Sequence, residues 1–451
     1  MRVDIFFNDA DYGKFSDMHL SFVENGRERR VPLSFLRYEN VYDFSNDLSS
    51  VKFDFFLIAA IVYGVDNLLN RAVHSNDGWS RDIEVEFPVI NLHVWIGKEE
   101  KLKKILDFLT GDNWMVSFCE NNHDNFYYPR PLSRRRKLPR DYDKDSIIST
   151  SLFSGGLDSF IGVIDKLESI RNNEKLLLVS HFDSKSPGPN GDQHRLLSHL
   201  SSQYPNKIEW IQSKLALSRK DIEGNKVVVE NNYRSRSLFF IGLGIYLSPV
   251  NELIIPENGT ISINYPLTPS RVSSLSTRST HPFVLMKLQE LFNDIGLSVH
   301  LINSYSFKTK GEMFTECLNP QFLQRTFPDS VSCGKRGRKQ HWSIRNGTEQ
   351  CGRCMPCIYR RAALNASGFD NEIFGNDVTT VLSLNHDLPA LFSYLKRDIT
   401  LEKMKRDLVV SGNIEVSVLE NYAAMVLRSK QEVINLFRDK GNNFVKSQLG
   451  I

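Results

Sequence analysis

The 451-residue chain lacks an excess of charge of either sign: Lys and Arg number 56 against 53 Asp and Glu, a net charge of +3. Near neutrality argues against a dedicated nucleic-acid or membrane-surface binder, whose attraction needs a field of one sign. Long apolar runs are missing too. The longest, Phe55 to Val65, is closed by Asp54 and Asp66 and is too short for a bilayer, which takes about 20 apolar residues. The first residues hold Asp4, Asp9 and Asp11 without the basic start and apolar core of a signal peptide, so a cytoplasmic location is expected. Cysteine is scarce, with 6 in the chain, and most of it is clustered, which speaks against a disulfide scaffold.

What is present begins with Ser154-Gly155-Gly156-Leu157-Asp158-Ser159. This turn lies between an apolar run, Ile147 to Phe153, and a helix-patterned stretch, Phe160 to Ile170. A strand handing over to a helix through two glycines is a phosphate cradle. The backbone can approach an anion closely, and the first amides of the helix are free donors at the positive end of its dipole. No Gly-Lys-Ser/Thr ending follows, so the loop is not a Walker-type NTP hydrolase signature.

Cys333, Cys351, Cys354 and Cys357 form the second feature. Cysteines two residues apart can converge on one tetrahedral ion, and the intervening loop brings in Cys333, so zinc is the leading candidate. An iron–sulfur cluster is the rival metal site. A closed four-cysteine site leaves no position for water or substrate, which makes it structural. Lys335, Arg336, Arg338, Lys339 and Arg345 place positive charge around the thiolates. Cys119 and Cys317 read as small buried hydrophobes.

The length allows two or three domains. Residues 1–145 read as a separate α+β domain with strands at Ile83 to Phe87 and Trp114 to Phe118, and a helix carrying Leu102, Ile105, Leu106 and Leu109. That domain ends in a basic, proline-punctuated linker, Pro129 to Arg140. Residues 146–370 alternate strand runs (Ile147 to Phe153, Leu176 to Phe182, Ile208 to Gln212, Leu253 to Pro256) with helices, the rhythm of an α/β, doubly wound and mostly parallel sheet. Residues 371–451 read as helical, with Val416, Leu419, Ala423, Val426, Leu427, Ile434 and Phe437 on the apolar face of a docked helix pair.

The loop and the cysteines together resemble the 7-cyano-7-deazaguanine synthase (QueC-like) family of PP-loop ATP pyrophosphatases. The order of elements resembles it as well: the loop, an arginine-bearing helix start at Arg236, a Lys-x-Glu segment at Lys310 to Glu312, then one early and three late cysteines. Coverage runs from about residue 146 to residue 370. Arg236-Ser237 stands where the family has Arg-Asn, and the segment from Asn264 to Pro282 is not the stand-alone enzyme's substrate loop. The long amino-terminal part is similar to the longer members found in bacterial anti-phage defence operons, which implies a protein partner from the same operon.

The resemblance implies a Rossmann-type core, a zinc knuckle and an ATP-dependent C–N ligase. ATP adenylates a 7-deazaguanine carboxylate, pyrophosphate leaves, and an amine attack gives an amide or, after a second activation, a nitrile. Ser154 to Ser159 would hold ATP, Asp158 would position Mg²⁺ or cap the helix, and Lys310 and Arg236 would assist catalysis. Gln193, His194, Arg271, Arg278, His281 and Glu312 are candidates for the substrate or its surroundings. Two other readings stay open: a tRNA-modifying reaction of thiolation or lysidine type, the former calling for Cys119 or Cys317 as catalytic cysteine, and a zinc-stabilised nucleic-acid binding module using the basic stretches.

Overall fold

A computed structural model of the chain describes residues 1–24, 26–131, 142–182, 188–230, 234–268, 278 and 280–451. Its strands are β1 (Arg2–Phe7), β2 (Met18–Glu24), β3 (Arg27–Leu36), β4 (Asp82–Val89), β5 (Asn113–Glu120), β6 (Ile147–Leu152), β7 (Lys175–His181), β8 (Ile208–Leu217), β9 (Glu252–Ile254) and β10 (His300–Ile302). They form one ten-stranded sheet in the order β10-β9-β6-β7-β8-β3-β2-β1-β4-β5. Pairing is parallel from β10 to β8 and from β1 to β5, and antiparallel through β8-β3-β2-β1. The protein is α/β with a mostly parallel sheet.

Helices Leu157–Ser169, Gly188–Gln203 and Arg236–Leu247 connect β6 to β7, β7 to β8 and β8 to β9. The chain moves outward from β6 to β7 and β8, then returns to place β9 on the other side of β6. That reversal between β6 and β9 is a topological switch point, where the two outgoing loops part and leave a crevice at the carboxyl ends of the strands. The Ser154–Ser159 loop leaves β6 there, and Pro256-Glu257-Asn258 follows β9.

The strands expected in the first 120 residues are present, and the helix Glu99–Thr110 ends at Gly111 in the left-handed conformation, φ +73°. These strands do not form a sheet of their own. Leu33 to Leu36 of β3 pair with Lys214 to Leu217 of β8, so the sheet runs through the sequence boundary read at residue 145. One apolar core likewise spans both sides. The run Phe55 to Val65 forms the middle of helix Val51–Leu68, which is buried almost along its whole length and packs on Arg236–Leu247, with the Phe56 and Tyr246 rings 5.2 Å apart. Among the described residues no helix is long and apolar enough to cross a membrane. The basic run Arg134 to Arg140 lies outside the described residues.

Beyond the sheet the chain is helical. The apolar face expected there belongs to one continuous helix, Val416–Lys440, instead of a pair. Leu419, Ala423, Val426 and Phe437 are buried in a second core with Ile358, Leu391 and Phe392, while Val416 is 84% exposed at the helix start.

Candidate functional site

The crevice at the switch point holds a cavity of about 680 Å³ whose wall includes Ser154, Gly156, Asp158 and Ser159. Gly155 has φ +85°, a conformation in which a side chain is strained, and a Cβ there would press on Asp192 and Gln193 at 3.3 Å. The loop is tied to itself: Gly156 N–H donates to Ser154 Oγ (3.3 Å), and Ser154 N–H to Ser159 Oγ (3.2 Å). The helix that follows starts at Gly156 with no side-chain cap, leaving the positive end of its dipole turned to the cavity.

Asp158 sits in the first turn of that helix but does not cap it. Its Oδ2 accepts from Asn258 Nδ2 (2.6 Å), and its Oδ1 accepts from Lys310 Nζ. Burial raises the Asp158 pKa, but Lys310 and the hydrogen bonds from Glu257 and Asn258 outweigh it and hold the carboxyl below its ordinary value. Glu257, hydrogen-bonded to Asp158, is pushed well above the carboxylate range by burial and by the Asp158 charge. The pair therefore shares one proton between an ionised Asp158 and a protonated Glu257, as close carboxyls in a poorly solvated site must. Asp158 and Glu257 both line the cavity, and both Asp158 oxygens are already engaged by Asn258 and Lys310.

Lys310 is buried and lies on the first turn of helix Lys310–Thr315, which Thr309 caps. Arg236, first residue of its helix, also lines the cavity and has no acidic partner among the described residues. Arg219 and Arg338, also on the wall, are likewise unpaired there. Arg336 is pinned instead: Nε donates to Glu349 at 2.5 Å, and Nη1 to Asp192.

The four cysteine sulfurs lie within 4.8 Å of one another. Cys351 and Cys357 are 3.8 Å apart, the edge of a tetrahedron with zinc–sulfur bonds of about 2.3 Å. Backbone amides of Lys335 and Cys351 point at Cys333 Sγ (3.4 and 3.3 Å), and those of Arg353 and Cys354 at Cys351 Sγ (3.4 and 3.3 Å), the donor set that stabilises thiolates. Gly352 at φ +76° is required, because a Cβ would meet the Asn376 carbonyl at 2.0 Å. The residues fit a divalent thiophilic ion such as zinc.

The knuckle is wired to the loop. Val331 N–H donates to Gly155 O (3.1 Å), Leu157 N–H to Ser332 Oγ (3.4 Å), and Cys333 itself lines the cavity. Arg360, on the helix Met355–Ala366 that also carries Cys357, donates to Ser330 Oγ (2.9 Å) and Phe327 O (3.0 Å) and so anchors the segment leading to Cys333.

No protein-family model, curated protein or solved structure matches this chain.

The remaining candidates are placed elsewhere. Gln193 is buried behind the loop, donating to Ser154 O (3.2 Å) and His181 O (3.1 Å), and so supports it without lining the cavity. His194 is exposed, bonded to Asn190 O and set edge-on to Trp210. Glu312 completes a capping box with Thr309 and pairs with Arg428 at 2.5 Å. Arg278 stacks on Phe108, 4.4 Å from the ring centre. His281 caps helix Pro282–Asp294 and is buried beside Phe108, with a pKa pushed down to about 3 by burial and by Arg278. These four do not line the cavity, and Arg271 lies outside the described residues. Cys119 is on edge strand β5 and Cys317 is buried in a helical core, so neither reaches the cavity as a catalytic cysteine would. Glu257, Asn258, Asp192 and Ser332 gave no signal in the sequence, because contacts across the switch point bring them in.

Proposed function

We propose that this chain is an ATP-dependent enzyme of the 7-cyano-7-deazaguanine synthase type, which activates a deazapurine carboxylate by adenylation and passes it to an amine. One observation carries the reading: the Gly155-Gly156 loop, the uncapped helix start, Lys310 and Arg236 converge on one cavity at the carboxyl ends of parallel strands. Its volume suits a nucleotide with a second small substrate, within the range of about 300–1,000 Å³ usual for ligand sites.

In the adenylation step a carboxylate oxygen forms a bond to the α-phosphorus, and the α–β anhydride breaks with the electron pair leaving on pyrophosphate. The positive end of helix Leu157–Ser169 meets that growing charge, and Lys310 and Arg236, both lining the cavity, add to it. Asp158 fixes the Lys310 ammonium and thus sets where its charge lies. Glu257 would serve the divalent ion that accompanies the nucleotide only as its carboxylate, so binding of that ion would release the proton that Glu257 shares with Asp158. Mg²⁺ supplies charge neutralisation on the phosphates when bound. The zinc knuckle braces the loop from below and takes no part in the chemistry.

The acceptor is either ammonia or an amine of a protein partner from the same operon, the partner being what the resemblance to the longer defence-associated members implies. A nucleic-acid role is less well supported, since Lys335, Arg336 and Lys339 spend their charge on Asp387, Asp192 and Glu349. Incubation with ATP, Mg²⁺ and 7-carboxy-7-deazaguanine tests the proposal. AMP and pyrophosphate are expected in equal amounts, and their absence, alone and with operon neighbours, refutes it.

A further inference from the structure

We infer that Asp66, in the amino-terminal residues 1–145, is a positioning residue for Arg236, so that this part of the chain is a built part of the nucleotide site; the inference rests on the reading of the cavity given above. The helix Arg236–Leu247 receives no side-chain cap from its own entering residue, Ser235. Asp66 supplies one from another element. Its Oδ2 accepts from the Ser235 backbone N–H (3.1 Å) and from the Ser235 hydroxyl (2.7 Å). Asp66 is fully buried, and its charge is matched by Arg81, whose Nη2 donates to Oδ1 at 2.6 Å. Arg81 also binds Asp112 (2.5 Å), which Arg71 grips through both of its terminal nitrogens (2.6 and 2.8 Å). One residue earlier, Arg234 donates to Thr110 O (2.5 Å) and lies 4.5 Å over the Trp79 ring.

Two consecutive residues before Arg236 are thus locked by partners drawn from residues 66–112. A buried network of two carboxylates and two guanidiniums adds little stability over an apolar packing of the same volume, so its yield is geometric. What it fixes is the backbone from which an unpaired arginine enters the cavity. A misplacement of about 1 Å at such a group costs roughly a hundredfold in rate.

The test compares Ser235→Ala, Asp66→Asn, Arg236→Ala and the Asp66→Asn/Arg236→Ala double variant. Readouts are ATP-dependent pyrophosphate release and hydrogen exchange of the segment Arg234 to Phe239. Asp66→Asn is expected to lower kcat by about tenfold or more with KM for ATP little changed, and the double variant is expected to be no slower than Arg236→Ala. Exchange should quicken over Arg234 to Phe239 and stay unchanged over Ser154 to Ser159. Losses that multiply in the double variant, or exchange that does not change, would overturn the inference. If Asp66→Asn does not fold, Ser235→Ala carries the exchange and kinetic arms, with its own double variant. If the wild type releases no pyrophosphate, the reading of the cavity falls, and the exchange result still upholds or overturns the clamp.

Discussion

Removing a metal from the four-cysteine site should loosen the Ser154–Ser159 loop, although the two are different structures. Tetrathiolate sites in small zinc peptides bind with about 10–16 kcal/mol of apparent free energy, comparable to the roughly 5–15 kcal/mol that holds a whole domain. The segment Ser330 to Cys333 would be fixed at one end by a metal on Cys333 and is held at the other by Arg360, and between them it holds Gly155 O and Leu157 N–H. Losing the ion, by chelation or by Cys351→Ser, frees four thiols that face one another within 4.8 Å and releases that segment. The large cores around the sheet and under helix Val416–Lys440 do not depend on it. The expected result is therefore local: a lowered first thermal transition, and exchange of the Ser154 to Ser159 amides faster by about tenfold or more, with the sheet unaffected. Elemental analysis should find one zinc per chain. A protein that carries no metal, or an unchanged melting and exchange pattern after chelation, would refute the reasoning; a brown protein with charge-transfer absorption would replace zinc with an iron–sulfur cluster.

Gly155→Ala should cost about 1–2 kcal/mol of stability, from left-handed backbone strain and 3.3 Å contacts with Asp192 and Gln193, yet cut nucleotide binding far more, which titration calorimetry against thermal unfolding can separate. Glu432 is raised to about 7 by burial, so the folded state loses stability as pH rises from about 4.5 through 7. Since its side chain is partly exposed, Glu432→Gln should remove about 2 kcal/mol of that pH dependence, read from urea midpoints at pH 5 and pH 8. Lys310→Met leaves Asp158 buried without its cation and should destabilise by about 3–5 kcal/mol while abolishing pyrophosphate release. His281→Ala removes a helix cap and should cost about 1 kcal/mol with no loss of nucleotide affinity in the surviving folded protein, measured by the same titration.

Local features were readable from the chain because the residues that define them are neighbours in sequence. The six-residue loop, the cysteine knuckle, the parallel strands β6 to β9 and the helix ending at Gly111 all fall in this class. The antiparallel meander β1 to β3 was not, since the charged stretch Arg27 to Arg30 hides the alternation of β3, and its union with β8 joins residues about 180 positions apart. The Asp158–Asn258–Lys310 cluster and the Asp66–Ser235 clamp escaped for the same reason: topology, not spacing, makes them. Polar residues were misleading where packing used them. Thr309 and Glu312 carry the spacing of a capping box, which the structure realises, and Arg278 looks like a ligand-binding arginine until Phe108 is found beneath it.

The decisive measurement is the nucleotide product formed by the purified chain with ATP, Mg²⁺ and 7-carboxy-7-deazaguanine, compared with the Gly155→Ala variant. AMP and pyrophosphate in equal amounts from the wild type, and neither from the variant, are the predicted result. ADP and phosphate, or a wild-type protein to which ATP does not bind, would contradict it.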